Sequence, residues 1–224
     1  MHFEWGKACI RLLEFDKAEE EFQLALEKEK NFSDAKIGIA LLNAYKNDFT
    51  LTEELKEKNS SNVYIQEALG IEYLSENNID SAIEMFKKAL KTDEKQKYNY
   101  YHLACAYILA EQKDKVRENF DKFLENYPKD LKRLLEYCKW LINISDFAQA
   151  QRKLRKALKL SENNIEVFNM LFYAQYTLAR ENISEYNIKE ALSIAQKAQN
   201  IGGIEYIHQA NELEGILKNI QENS

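Results

Sequence analysis

The residues that could do chemistry are few, and their spacing decides what each could do. His2, His102 and His208 are scattered along the chain, and no His-x-x-x-His or Cys-x-x-Cys pair exists to hold a metal. Cys9, Cys105 and Cys138 are odd in number and widely separated, which suits free thiols in a reducing compartment better than a disulfide framework. No G-x-G-x-x-G and no phosphate-cradling loop is present. Acidic runs such as Glu19-Glu20-Glu21, and basic ones such as Lys87-Lys88 or Lys153, Arg155 and Lys156, read as solvated outer helix faces. The sequence therefore predicts no catalytic residue, no metal and no cofactor. What remains is a set of tyrosines. Each offers a flat apolar ring, a hydrogen-bonding tip and little entropy to lose, so the chemistry within reach is recognition of another molecule.

The elements that must position these residues are helices with a fixed period. Between Tyr98 and Pro128, Leu103, Ala104 and Tyr107 form one stripe. A polar break follows at Glu111 to Asp114, then a second stripe of Val116, Phe120, Phe123 and Leu124. The same pattern stands 34 positions earlier as Leu69, Gly70, Tyr73, Ala82, Phe86 and Ala89. It stands 34 positions later as Tyr137, Cys138, Leu141, Ala150, Leu154 and Ala157. A period of this size is the mark of a repeat array in which each unit contacts its neighbours. The units run over about 2–30, 33–62, 63–96, 97–130, 131–164 and 165–201, with a capping helix over 204–220. The unit at 33–62 is degenerate: its second helix, 51–58, is short, and Thr52 and Lys56 stand at core positions. The step from it to the next unit is 30, so about one helical turn is missing. The sixth unit carries seven extra residues, Arg180 to Tyr186, expected to enlarge the loop between its helices, and Gly202-Gly203 is expected to stop its second helix.

Composition agrees. One Pro, six Gly and abundant Glu, Lys, Leu and Ala favour helix throughout. A net charge of −6 argues against a nucleic-acid surface. No apolar run is long enough to span a membrane, and the N-terminus has no secretory pattern. A cytoplasmic protein, or an excised domain of a larger one, is expected. Either Phe3 is exposed and mediates contact between chains, or the natural chain begins earlier.

The stripes of Leu69, Gly70, Tyr73, Ala82 and Phe86, and of Leu103, Ala104, Tyr107, Val116, Phe120 and Pro128, resemble the tetratricopeptide repeat (TPR). Phe123 and Phe172 depart from it, each a ring where the family prefers a small residue. The resemblance implies an all-α, right-handed superhelical solenoid of about six helical hairpins plus a C-terminal capping helix. It also implies a concave groove lined by the first helix of each unit. In that register the groove candidates are Tyr64, Ile71, Tyr98, Tyr101, Cys105, Lys132, Leu135, Lys139, Tyr173 and Tyr176, with Glu67 and Asn169 beside them. All lie off the packing stripe. Cys105 and Cys138 would sit near each other as small buried hydrophobes.

Some members of the family clamp the acidic tail of a chaperone with Lys, Asn and Arg side chains. The equivalent positions here are Glu67, Ile71, His102, Lys132 and Glu136, of which Lys132 alone fits, so a carboxylate-clamp ligand is not expected. The reading is a non-catalytic module that binds a peptide or helix of a partner protein, with no nucleic-acid partner. The alternatives are a self-associating scaffold subunit, or the repeat part of a larger regulatory or enzymatic protein.

Overall fold

The computed structural model describes residues 1–30, 32–202 and 206–222, with the backbone alone at Leu51. Thirteen helices occupy these residues, packed as sequential antiparallel hairpins. They fall into two compact units, Met1–Asn126 and the residues from Tyr127 onward.

The first unit holds four hairpins. They are α1 (His2–Leu12) with α2 (Phe15–Lys28), α3 (Ser33–Tyr45) with α4 (Thr50–Lys56), α5 (Val63–Ser75) with α6 (Ile79–Thr92), and α7 (Asn99–Leu109) with α8 (Lys113–Asn126). The first helices α1, α3, α5 and α7 lie side by side in that order. The second unit holds α9 (Leu131–Asn143) with α10 (Phe147–Leu160), α11 (Ile165–Glu181) with α12 (Glu185–Ile201), and α13 (Ile207–Glu222) against α12.

Four second helices bury the stripes that the sequence assigns to them: Ala18, Phe22 and Ala25 of α2; Ala82, Phe86 and Ala89 of α6; Val116, Phe120 and Phe123 of α8, with Leu124 half-buried; Ala150, Leu154 and Ala157 of α10. Small residues on the first helices make room for the rings. A Cβ on Gly6 of α1 would lie 2.6 Å from the Phe22 ring, and one on Gly38 of α3 would lie 2.5 Å from it. Phe22 is thus seated between its own hairpin and the next.

The period is also written in the backbone. Leu13, Asn47, Asn77, Glu111 and Ser145 adopt left-handed conformations with φ near +60°. Each follows the first helix of its hairpin, and they are 34, 30, 34 and 34 positions apart. At every one, the next residue donates its N–H to the carbonyl five positions back, as in Asn78 to Tyr73 at 2.8 Å and Asp146 to Leu141 at 2.8 Å. The step of 30 falls across α4, a helix of seven residues whose neighbours among the second helices have fourteen. Thr52 is fully buried there, and its hydroxyl has no hydrogen-bond partner among the described residues.

Two expectations are corrected. The extra residues of the sixth unit do not make a larger loop. They lengthen both helices to seventeen residues, leaving Asn182, Ile183 and Ser184 between them. Glu181 and Glu185 are sound helix formers, and the Ser184 hydroxyl caps α12 by accepting from Asn187. Phe3 is not exposed: it packs against Phe22, Phe32 and Tyr64. The large apolar side chains exposed on α1 and its cap are Met1, Trp5 and Leu12. The expected helix stop at Gly202 is observed, with φ +145° at the end of α12, whereas Gly203 and Ile204 lie outside the described residues.

Candidate interaction surface

In the first unit the first-helix face is organised around a charge that apolar neighbours alone would not tolerate. Glu67 of α5 is fully buried. Arg11 of α1 reaches it as a fork, with Nη1 on Oε1 and Nη2 on Oε2 at 2.7 Å. The Tyr45 hydroxyl, at the end of α3, donates to Glu67 Oε1 at 3.0 Å and lies 2.8 Å from His102 Nε2 of α7. Arg11 Nη1 also donates to the Tyr45 oxygen at 2.8 Å. One network therefore joins all four first helices of the unit. Burial by itself would push the Glu67 carboxyl up, but the Arg11 guanidinium and the hydrogen bonds from Arg11 and His102 hold it well below the usual carboxylate range. Burial and the Glu67 charge push the Tyr45 hydroxyl well above its ordinary value. His102 stacks on Phe86 at 5.0 Å.

The candidate residues separate around this network. Tyr98, expected on the groove surface, is 2% exposed. Its ring lies edge-on to Phe123 at 5.3 Å, with the Arg11 guanidinium 4.5 Å above it. Phe123, the residue that departs from the repeat pattern, supplies the wall that folds Tyr98 inward. Leu135 of α9 is 8% exposed and belongs to the core of the second unit. These two are not free contact residues, and the expectation that they lie off the packing stripe is corrected. Ile71 is half-buried against the core of the first unit.

Tyr64, Tyr101 and Cys105 are half-buried in the first unit. The Tyr64 hydroxyl accepts from Lys7 Nζ at 2.7 Å and from Gln96 Nε2 at 3.2 Å. Tyr101 packs on Tyr98, Phe120 and Phe123 while keeping part of its ring in solvent.

In the second unit, Lys132 and Lys139 of α9 are exposed, and Lys139 pairs with Glu166 of α11 at 2.7 Å. Tyr173 of α11 is half-buried, with ring contacts to Phe147 at 6.0 Å and Tyr206 at 5.6 Å. Tyr176 is half-buried and donates to Glu212 of α13 at 2.7 Å. The Asn169 amide oxygen is buried without a hydrogen-bond partner among the described residues.

No protein-family model matches the chain, and no curated protein matches it by sequence. Solved structures do. YrrB, described as a TPR protein with an unusual peptide-binding site, is 18% identical, with a TM-score of 0.59 over 87% of this chain and 97% of that one. The chain has the tetratricopeptide-repeat fold. MamA of AMB-1 is 21% identical, with a TM-score of 0.59 over 75% of this chain and 88% of that one. PilF of Pseudomonas aeruginosa is 13% identical, with a TM-score of 0.58 over 96% and 95%. Tetratricopeptide folds serve in general as protein-binding modules and are typically non-catalytic. Among the described residues of this one, no group of three or more His, Cys, Asp or Glu side chains is placed to hold a metal, and no helix is long and apolar enough to cross a membrane. Cys9 and Cys138 are buried free thiols. Burial pushes the Cys138 thiol up to about 12, so it is a packed side chain rather than a nucleophile.

Proposed function

We propose that this tetratricopeptide chain is a non-catalytic interaction module that binds a peptide or helical segment of a partner protein on its first-helix faces. The observation that supports the reading is the set of half-buried tyrosines on those faces, Tyr64 and Tyr101 in one unit and Tyr173 and Tyr176 in the other. Each ring is held by neighbours yet keeps an open edge. Such a residue is pre-ordered, so it gives contact area at small entropic cost. Lys132 adds an exposed positive charge on α9 of the second unit, whereas Lys139 is paired with Glu166. Glu67 and His102 are committed to each other and to Arg11, which leaves no carboxylate clamp and favours apolar and aromatic anchors on the ligand.

The test is capture of partner proteins with the wild-type chain against Tyr101→Ala/Tyr173→Ala, read by mass spectrometry. The double variant is expected to keep its helical circular dichroism and to lose a specific set of captured proteins. Equal capture by both chains would overturn the assignment of these faces.

A second reading, a self-associating subunit, is favoured by the exposed side chains of Met1, Trp5 and Leu12 on one side of α1.

A further inference from the structure

α2 and α10 are second helices of equal length, and their solvent faces carry opposite charge. On α2, Asp16, Glu19, Glu20, Gln23, Leu24 and Glu27 line a shallow groove of about 530 Å³. Glu19 pairs with Lys46. Asp16, Glu20 and Glu27 are exposed and make no ion pair among the described residues. α10 contains no acidic residue. Its Arg155 pairs with Glu190 of α12, while Arg152, Lys156 and Lys159 are exposed and make no ion pair among the described residues.

A solvated helix face ordinarily mixes signs or pairs them at i,i+4. Here the residues that line the α2 groove include no cation, with Lys17 and Lys28 exposed elsewhere on that helix, and α10 includes no anion, in a chain whose net charge is only −6. The spacing also matches. Laid side by side in the same direction, Asp16 meets Arg152, Glu20 meets Lys156, and Leu24 meets Leu160. Those two leucines are each 39% exposed. A free cation would neutralise α2 but would leave Leu24 uncovered. A basic helix with a leucine at the eighth residue after its first cation covers both, and this chain contains one.

We propose that the acidic face of α2 is a docking site for the basic face of α10 of a second copy of this chain. The contact joins two different surfaces, so two copies can exchange it reciprocally as a closed dimer or pass it on from copy to copy. Exposed ion pairs are individually weak and screened by salt, so the association is expected to be modest and strongest at low ionic strength. The proposal is independent of partner binding on the first-helix faces, and either can fail alone.

Sedimentation of the full chain over a range of concentrations tests it. The average mass should rise with concentration at low salt and return to that of a monomer at high salt. Asp16→Arg/Glu20→Arg and Arg152→Glu/Lys156→Glu should each weaken association more than about tenfold, with unchanged circular dichroism. Mixing the two variants should restore it, because each acidic face again meets a basic one. A monomer at every concentration in low salt overturns the proposal. So does association that survives both charge reversals and disappears instead in Trp5→Ala, which would place the contact on the apolar side of α1.

Discussion

Arg11 and Glu67 stand 56 positions apart and meet as a two-pronged ion pair that reaches from α1 to α5 past the intervening α3. The Arg11 side chain keeps 21% of its surface exposed, whereas Glu67 keeps none. The pair therefore fails asymmetrically. Arg11→Met leaves a buried carboxylate without its cation, and a loss of about 3–5 kcal/mol in urea denaturation is expected. The double variant Arg11→Met/Glu67→Leu removes both charges and should recover most of that loss. A double variant as unstable as the single one would mean that Glu67 is held chiefly by Tyr45 and His102.

Phe22 gives a packing prediction of a different kind. Its ring is pinched by glycines from two hairpins, so Gly38→Ala should cost about 1–3 kcal/mol although alanine is the better helix former. Phe22→Ala should cost about 3–5 kcal/mol by leaving a cavity between α1 and α3. Combining the two should cost less than their sum, because the added methyl then enters the space that the ring vacated. Thermal unfolding of the three variants measures this.

A titration is built into the short hairpin. Glu72 of α5 is 8% exposed, and burial together with the neighbouring Glu53 carboxyl on α4 pushes its pKa up to about 7; Glu76 adds to the shift, and Lys56 opposes it. The native state therefore holds a proton that the unfolded chain releases near the ordinary carboxyl value. Glu72 costs no stability below that ordinary value, and the cost grows as pH rises to about 7. Glu72→Gln should flatten this part of the stability profile and should stabilise the protein at pH 8 by more than about 1 kcal/mol. An unchanged slope between pH 5 and 7 would show that Glu72 is ionised throughout.

The fold was legible because the small and aromatic positions recur at one period, and the left-handed turn recurs with them even where the step shortens to 30 between Asn47 and Asn77. The site was legible only in part. The stripe rule places Tyr98 at the surface because it considers one helix at a time. The ring is buried by Phe123 from α8 and by Arg11, residues that no local pattern links to it. The Arg11–Glu67 pair left one usable signal, a lone acid between Ile65 and Ala68 in an apolar helix, which demands a cation from somewhere. Which cation supplies it depends on how three hairpins stack. The lengthened α11 and α12 were missed for a simpler reason: an insertion reads as a loop unless its helix formers outweigh its breakers.

The left-handed residues at the hairpin turns give a final test, because the same backbone geometry is occupied by different side chains. Glu111 and Asn77 have φ of 56° and 59°, and each is exposed. A β-carbon at such a position crowds the following carbonyl, and asparagine tolerates that better than glutamate does. Glycine relieves the crowding but gains freedom in the unfolded chain, so the two effects partly cancel. Glu111→Gly should then stabilise the protein by about 0.5–1 kcal/mol, and Asn77→Gly by less. Both variants keep the N–H that closes the turn, to Ile108 and Leu74 respectively, so the comparison isolates the side chain. Denaturation midpoints in the order Glu111→Gly, Asn77→Gly, wild type would bear this out, and a destabilised Glu111→Gly would show that the turn there is not strained.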